Sequence, residues 1–498
     1  MIPLGGWQPD LPDYRGPGLV TAHNVLPLED GTYGPVGDAV TLAGSMGDTC
    51  LGVGAAKSNA GDYTTFAGTS TRLYKLESTN DWTNVSNPSN YSVQGYDRWR
   101  FAAFGNTLVA AGGTATNLQA YDLATSSLFA DLSGTAPRAK FLAVVGNFLM
   151  VCNTWDGTDG FLRNRVWWSG IGNAASWPTP GGDAAATVQS GRAELRDGGD
   201  IQGILPGIGG AAAAIFGESR IWMVNYEGPP TIFRFDVVER ARGVYAPGSL
   251  ISNGKIAYYL GEDGLYAFDG VQSVSIGAGK VDRWFLDDLD DSARDLISSA
   301  IIPDQKIVCW LYPGTGWDSS GRCNRILAYN WISGNFTEIS TTAEIIATAR
   351  SPGYTLETLD SLGFTLDTLP FSLDSRVWAG GAPILALFNG GNMSSLSGAN
   401  SLGAEFKTNE FSGQNGMRMF VSGVMPYTDA SSITAAIGFK HSEFDTETTS
   451  TFRAPGVDRI IPFRHPARRA SLTFRIPYGA DWSTIQGYDL KSKPEGYR

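Results

Sequence analysis

The stretch that decides the fold class is Ile256-Ala257-Tyr258-Tyr259-Leu260, followed after a short glycine-containing gap by Leu265-Tyr266-Ala267-Phe268-Asp269-Gly270. Both runs consist largely of aromatic and aliphatic residues, and the second ends in an Asp-Gly pair that is typical of a turn. The pattern predicts two antiparallel β-strands joined by a tight turn.

Six further units repeat this pattern at intervals of roughly 40 to 70 residues. They lie at 65–68 with 73–76, 108–110 with 118–122, 148–151 with 165–169, 213–216 with 220–224, 307–311 with 325–330, and 377–380 with 384–388. Several strands per unit at such a period are typical of a β-propeller. We therefore predict an all-β fold: a degenerate β-propeller of about six to eight blades plus a small C-terminal β domain. A chain of unrelated β-sandwiches is the alternative.

The composition supports a turn-rich β protein and excludes several other classes. The chain has 498 residues, of which 62 are Gly, 14 are Trp and 17% are charged. This length exceeds one compact core, and an apolar fraction of 42% excludes intrinsic disorder. Glu, Lys and Ala at heptad spacing are lacking, which excludes a coiled coil. The net charge of −12 argues against nucleic-acid binding through a basic surface.

Changes in sequence texture predict three regions. Residues 1–50 form a Pro- and Gly-rich extended arm that cannot hold a long regular element. Residues 51–400 form the propeller-like domain. Residues 401–498 form the C-terminal β domain, which is basic at its end because residues 453–498 hold nine Lys or Arg against four Asp or Glu. The Leu-acid repeat at 355–374 is interpreted as a linker or edge segment.

One stretch in the propeller region, Val281 to Ser298, carries a helical pattern. Acidic residues precede its centre at Asp287, Asp288, Asp290 and Asp291. Acidic side chains in a first helical turn interact favourably with the helix dipole. Binding of Ca²⁺ by this run is the alternative, but the central Gly and terminal Glu of an EF-hand loop are absent.

No targeting segment is evident, and we expect no membrane insertion. The N-terminus lacks a basic region followed by an apolar one. The longest apolar run, Ile204 to Phe216, is interrupted by Pro206 and is too short to span a bilayer. We expect the four cysteines to be buried free thiols in a protein that is made and kept in the cytosol; a pairing of Cys309 with Cys323 is the alternative.

No constellation in the sequence indicates catalysis, so we expect no enzyme activity, cofactor or metal. Gly170-Ile171-Gly172-Asn173-Ala174-Ala175 matches a dinucleotide fingerprint, but Pro178 and Pro180 follow where a helix would be needed, so a turn is expected. Four tryptophans could stack on sugar rings, although core or interface positions are the more common use of such residues. They are Trp99, Trp167, Trp168 and Trp177.

Several short segments, spread over most of the chain, are informative through their order. They are Asn24-Val25-Leu26-Pro27, 31–35, Arg165-Val166-Trp167-Trp168-Ser169 running to Pro178, 219–222, 233–235, 261–270 running on to 277, 375–378, Arg468-Arg469, 482–487 and 494–498. In this order they resemble the tail nozzle family of short-tailed bacteriophages, also called tail tubular protein B or head-to-tail stabilisation protein.

The resemblance implies a non-enzymatic virion protein with a propeller-like domain. Members of that family form six-fold rings below the portal and adaptor and enclose the channel through which DNA leaves. The implied partners are other copies of the chain, the adaptor and portal-side tail proteins, and tail spikes or fibres, although the short loops here assign no spike-docking loop. Genomic DNA would pass through the lumen without sequence-specific binding, which an acidic lumen would favour. The implied location is the virion tail, assembled in the host cytoplasm.

The sequence thus predicts a structural ring protein, with Arg464, Arg468 and Arg469 as candidate contacts to a neighbouring subunit or the adaptor. A carbohydrate-binding or glycoside-hydrolysing propeller is the alternative from a different class. A neck or baseplate component of a longer-tailed phage is the alternative within the structural class.

Overall fold

The computed structural model describes residues 1–12, 18–89, 91–350, 381–413, 417–442 and 445–496. Its central feature is a set of seven four-stranded antiparallel blades, which we number 1 to 7 in chain order; six are separate sheets, and blade 6 belongs to a larger sheet. Each blade begins with the strand nearest the common axis and proceeds outward. The predicted β-propeller is confirmed, with seven blades.

The strands of the first four blades follow one another without interruption along the chain. They are Gly52–Lys57, Tyr63–Gly68, Leu73–Leu76 and Trp82–Asn84 (blade 1); Arg100–Phe104, Thr107–Ala111, Gln119–Asp122 and Ala130–Asp131 (blade 2); Arg138–Val145, Phe148–Asp156, Gly160–Trp168 and Gly191–Glu194 (blade 3); and Ile201–Pro206, Ala213–Gly217, Ile221–Gly228 and Ile232–Glu239 (blade 4).

In blades 5 and 6 the strands are again consecutive, whereas the outer strand of blade 7 comes from a distant part of the chain. The strands of these three blades are Ile251–Ser252, Ala257–Gly261, Gly264–Phe268 and Ser273–Ser275 (blade 5); Ser298–Ile302, Ile307–Tyr312, Cys323–Asn330 and Phe336–Ala343 (blade 6); and Ile345–Arg350, Pro383–Asn389, Asn392–Ser395 and Val40–Ala43 (blade 7). The outer strand of blade 7 comes from the N-terminal part of the chain, so the ring is closed by joining distant segments. Such closure removes the free sheet edges that a linear array would leave.

Six of the seven predicted hairpins are the second and third strands of blades 1 to 6. The seventh predicted hairpin is only half described. Residues 384–388 lie in the second strand of blade 7, which pairs with Ile345–Arg350 and Asn392–Ser395. Residues 377–380 lie outside the described residues, as does the Leu-acid repeat at 355–374.

The C-terminal β domain is a sandwich of two sheets that also takes up N-terminal strands. One sheet has the order Val25–Pro27, Tyr33–Pro35, Ile485–Gly496, Arg418–Thr428 and Ile461–Ala467, with Ile2–Pro3 beside Ile485–Gly496. The other has the order Leu19–His23, Ala404–Thr408, Arg469–Ile476, Thr434–Lys440 and Thr448–Thr449, with Phe411–Ser412 beside Arg469–Ile476. Aromatic rings meet between the sheets, as in the pair Phe474 and Tyr488 at 5.7 Å.

The sandwich and the propeller are joined into one sheet at blade 6. Strand Leu19–His23 lies between the outer strand of blade 6 and sandwich strand Ala404–Thr408, so ten strands form a continuous sheet. A single buried cluster contains Trp310 and Tyr329 of blade 6 together with Phe406 and Phe474 of the sandwich. The two parts therefore share a hydrophobic core, which opposes independent movement.

The single helix expected over Val281 to Ser298 is a wrong prediction. The segment contains a short α-helix, Asp282–Asp288, and a separate 3₁₀ helix, Asp291–Leu296. The Asp290 carboxylate accepts from the Ser292 N–H and so caps the second helix, which interrupts the first. The remaining helices in the described part of the chain are the α-helix Asp183–Val188 and the 3₁₀ turns Ile208–Gly210 and Pro247–Ser249.

Closure of blade 7 can be tested at Leu42, which is 6% exposed and packs in the cluster between blades 7 and 1. We expect Leu42→Ala to lower the free energy of unfolding by about 2–5 kcal/mol because it removes buried apolar contacts. Urea unfolding measures the change. Thr41→Ala is the control, because Thr41 is the exposed neighbour on the same strand and should change stability little. Equal effects of the two substitutions would contradict this role of the strand.

Candidate functional site at the propeller axis

The axis of the propeller holds a cavity of about 540 Å³. All seven first strands contribute to its lining, as shown by Gly52, Ala102, Leu142, Ile204, Ile251, Ser298 and Ile346. The upper face, defined as the one where these first strands begin, carries the polar end of the cavity at Arg98 and Arg100. Below these two residues most of the lining side chains are aliphatic.

Trp99 holds its two arginine neighbours in place. Its side chain is 2% exposed, its indole N–H donates to the carbonyl of Thr69 at 2.8 Å, and its backbone N–H donates to the carbonyl of Leu51. A Cβ added to Gly68 would lie 2.2 Å from the Trp99 ring, so only glycine permits this approach. Because neighbouring side chains on an extended segment alternate, burial of Trp99 places Arg98 and Arg100 on the opposite side.

The two guanidinium groups carry strongly desolvated positive charge. Burial lowers the pKa of Arg98, and burial together with the nearby Arg98 charge lowers the pKa of Arg100 to about 10. Arg100 donates to the carbonyl of Pro247 at 3.4 Å and lies over the Phe141 ring at 5.3 Å. Nε and Nη2 of Arg98 are buried and have no hydrogen-bond partner among the described residues. A buried charged donor without an acceptor is costly.

A wider depression of about 830 Å³ lies on the upper face beside the axis. It is lined by both signs of charge, including Arg163, Arg242, Glu262 and Asp263. A constriction of about 30 Å³ adjoins it, and this constriction is also lined by Arg98 and Arg100. The charged residues of the upper face thus lie next to the polar end of the axial cavity.

The tryptophans considered for sugar stacking are core residues. Their exposed fractions are 2% for Trp99, 6% for Trp167, 5% for Trp168 and 3% for Trp177. Their ring faces are covered by their own chain, as where Trp168 meets Phe233 at 5.3 Å. Gly170 to Asn173 forms a tight turn closed by backbone hydrogen bonds, as expected of this segment.

Arg165, within the segment Arg165 to Ser169, is the centre of a buried ion cluster in blade 3. Its side chain is 2% exposed. It forms ion pairs with Asp156 at 2.8 Å, Asp159 at 2.9 Å and Glu194 at 3.0 Å. The cluster ties together the second, third and fourth strands of the blade, so its role is structural.

The acidic run at 287–291 binds neighbouring side chains. Asp288 accepts from the hydroxyl of Tyr312 at 3.0 Å, and Asp291 accepts from the hydroxyl of Tyr245. Asp287 lies 3.8 Å from Arg283. Of the four acidic residues, Asp290 has the capping role described above, and Asp291 lies in the first turn of the 3₁₀ helix. Asp287 and Asp288 end the preceding helix, which corrects their predicted place in a first turn.

Asp282 is a buried carboxyl group whose environment favours the protonated form. Burial raises the pKa of Asp282 to about 6, and the nearby charges of Asp10 and Asp263 act in the same direction. Its oxygens accept from the Leu265 N–H at 2.9 Å and the Ser275 hydroxyl at 3.3 Å. These contacts attach the helix Asp282–Asp288 to blade 5, so this acid has a structural explanation.

The three arginines predicted as intersubunit contacts lie on the sandwich, away from the axial site. Arg464 is exposed on Ile461–Ala467, which forms one edge of its sheet. Arg468 is also exposed, in the turn after this strand. Arg469 is partly buried and lies 3.9 Å from Glu410 of its own chain.

The four cysteines are free and buried, as predicted. Burial raises the pKa of each thiol, so none is a reactive thiolate at neutral pH. Cys309 and Cys323 lie on adjacent strands of blade 6. Across the described ranges, no group of three or more His, Cys, Asp or Glu side chains is arranged to hold a metal ion, and no helix has the length and apolar character of a membrane span.

The residues that sequence reasoning missed are Arg98, Arg100 and Lys140. Lys140 lines the constriction and pairs with Asp97 at 3.2 Å. The sequence did contain a signal for the two arginines, the tripeptide Arg98-Trp99-Arg100 at the start of a strand. Successive side chains of a strand point to opposite faces, so both arginines lie on the face opposite a buried tryptophan. Only the closed ring shows that this alternation directs both charges to the axis.

The sequence matches no protein-family model and no curated protein. Among solved structures, the chain is similar to the WD40 domain of Neurospora crassa Pan2, with 8% identity, a TM-score of 0.39 and coverage of 72% of this chain and 94% of that one. It is also similar to AztD from Citrobacter koseri, with 13% identity, a TM-score of 0.30 and coverage of 64% and 93%. The third is the N-terminal domain of Nup159, with 9% identity, a TM-score of 0.28 and coverage of 62% of this chain and 88% of that one. At these identities the similarity bears on the fold alone.

Arg165 offers a test of the ion cluster in blade 3. We expect Arg165→Ala to lower the free energy of unfolding by about 1.5–3 kcal/mol, because it removes a buried guanidinium that binds three carboxylates, which are themselves 13–39% exposed and can be hydrated. Chemical denaturation measures the change. Arg163→Ala is the control, because Arg163 is 59% exposed and its pair with Asp200 should contribute at most about 1 kcal/mol. A loss at Arg165 no larger than that at Arg163 would show that the cluster is not stabilising.

Asp282 offers a test through pH. An acid whose folded pKa is raised stabilises the folded state below its unfolded pKa, and this contribution is lost as pH rises through the folded value, here about 6. The melting temperature of Asp282→Asn should therefore rise relative to that of the unmodified chain between pH 4 and pH 7. Asp269→Asn is the control, because backbone hydrogen bonds lower the pKa of Asp269, so its contribution is lost only as pH falls below the usual range and should change little between pH 4 and pH 7. A pH-independent difference for Asp282→Asn would contradict the assignment.

Proposed function

We propose that the chain is a structural protein of the tail of a short-tailed bacteriophage, where six copies form a ring below the portal and adaptor. The ordered segments that resemble tail nozzle proteins suggest this function. The structural observation that carries the proposal is the continuous ten-stranded sheet from blade 6 into the sandwich. A ring subunit must hold its contact surfaces at a constant angle, and a shared sheet with a shared core supplies that rigidity.

In this proposal the DNA conduit lies between copies of the chain. The axial cavity of one propeller is about 540 Å³, which is the size of a small-molecule site. A DNA duplex, whose major groove alone is about 12 Å wide, requires a far larger opening. The lumen must then be enclosed by the surfaces of several subunits, and a net charge of −12 per chain opposes retention of the phosphate backbone.

Arg464 and Arg468 are the proposed intersubunit cations. Both are exposed beside the edge strand Ile461–Ala467, on a chain that is otherwise acidic. A basic edge and an acidic partner surface give the heterologous contact that a closed ring requires. Arg469 is excluded from this role, because Glu410 of the same chain already pairs with it. Adaptor and portal-side proteins, and spikes or fibres, would be the further partners in a virion tail assembled in the host cytoplasm.

Solution mass by light scattering, with negative-stain images of the same peak, tests the ring. We expect particles of about six times the 53.2 kDa chain mass. The double variant Arg464→Glu and Arg468→Glu should shift the mass towards single chains, because like charges then face the acidic partner. Arg283→Glu is the control, since this arginine is 84% exposed on the propeller.

Two results would count against the proposal in different ways. Rings of unchanged mass in the double variant would show that the two arginines do not hold the interface, although the ring itself would stand. Single chains at every concentration, both alone and with the adaptor, would show that the chain does not form a ring.

The depression on the upper face favours a second candidate function, a carbohydrate-binding or glycoside-hydrolysing propeller. Several carboxylates line it, among them Glu218, Glu262 and Asp295. Paired carboxylates are the usual catalytic groups of glycosidases. Glycan-array binding and sugar hydrolysis by the purified chain distinguish this candidate, because a structural ring predicts neither activity.

A further inference from the structure

Three cavities follow one another from the upper face to the axis. The depression and the constriction share Lys140, Pro247 and Asp295. The constriction and the axial cavity share Arg98, Arg100 and Gly248 among their lining residues. The two arginines therefore line both the constriction and the polar end of the apolar cavity.

The arginines at this point lack the partners that buried charges normally have. Most buried ionised groups are paired with an opposite charge. Neither guanidinium forms an ion pair with a carboxylate among the described residues, and the hydrogen bond from Arg100 to the Pro247 carbonyl is long, at 3.4 Å. The carboxylates of Asp295 and Glu344 favour the Arg98 charge from a greater distance. The two positive charges also repel each other. An anion near both would offset this repulsion.

We infer that the axial cavity binds a small organic anion with an apolar body, whose charged group lies between Arg98 and Arg100. The inference does not rest on the proposed ring. A carboxylate or phosphate oxygen accepts hydrogen bonds from guanidinium groups with favourable geometry. The charged group would be held where the constriction meets the cavity.

The residues that line the cavity below the arginines indicate the chemistry of the uncharged part of the ligand. Side chains such as Leu142, Val144, Ile204 and Ile346 line the cavity from three blades. The hydroxyl groups of Ser298 and Ser299 are already engaged, the first with the Ile346 N–H and the second with the Gly248 carbonyl. The interior thus offers apolar contact and few free polar groups, which suits a hydrocarbon chain or ring.

Isothermal titration calorimetry with decanoate tests the inference on the intact chain. We expect decanoate to bind the unmodified protein and to bind Arg98→Met at least tenfold more weakly, because its charged group loses a guanidinium partner. Decanol, which lacks the charge, and acetate, which lacks the apolar body, should each bind at least tenfold more weakly than decanoate. Arg234→Met is the matched control, because it removes one exposed arginine of blade 4 and should leave decanoate affinity within about twofold.

Each contrary result overturns the inference. If decanoate does not bind the unmodified protein, the proposed site does not exist. If Arg98→Met binds decanoate with unchanged affinity, Arg98 is not part of the site. Decanol that binds as tightly as decanoate would show that charge is not recognised, and acetate that does so would show that the apolar walls are not used. Arg98→Lys, which retains the charge but fewer donors, should bind decanoate with intermediate affinity, and an affinity no higher than that of Arg98→Met would contradict recognition by charge.

Stability without ligand gives an independent result. If Arg98 serves a ligand, removing its unpaired buried charge should raise the melting temperature of the ligand-free protein. Addition of decanoate should then raise the melting temperature of the unmodified protein but not that of Arg98→Met. A lower melting temperature for ligand-free Arg98→Met would show that the guanidinium stabilises the fold, and would overturn the inference.

Discussion

The arrangement of the two parts of this protein depends on the short strand Leu19–His23. It pairs in parallel with the outer strand of blade 6 and antiparallel with sandwich strand Ala404–Thr408. Asn24, which follows it, donates from its backbone to Glu338 and from its side chain to the carbonyl of Gly403, so one residue bonds both neighbours. Without this strand the sheet would end in two unpaired edges.

The N-terminal part of the chain has a second structural role in blade 7. Val40–Ala43 completes blade 7, although the other three strands of that blade lie about 300 or more residues further along the chain. Formation of both the ring and the junction thus requires contacts between the two ends of the sequence. Loop-closure entropy opposes such contacts until the shared cores form.

Rigidity of the scaffold is also what gives the axial site its character. Two guanidinium groups remain near each other at the axis because Trp99, anchored on blade 1, fixes the backbone between them. A flexible segment would allow the charges to separate and reach water. The site therefore stores an unfavourable electrostatic arrangement, as functional sites commonly do.

The sequence by itself determined the all-β class and the hairpins at the centre of blades 1 to 6, because strand pairing of neighbours depends on local alternation and turn residues. It also indicated that the cysteines are buried and that a core position is the more common use of tryptophans such as Trp168. Only the tertiary structure decided that residues 40–43 complete blade 7 and that Arg98 and Arg100 both line the axial cavity. Both facts arise from contacts between segments far apart in the chain, and local pattern carries no information about which distant strand will be the neighbour.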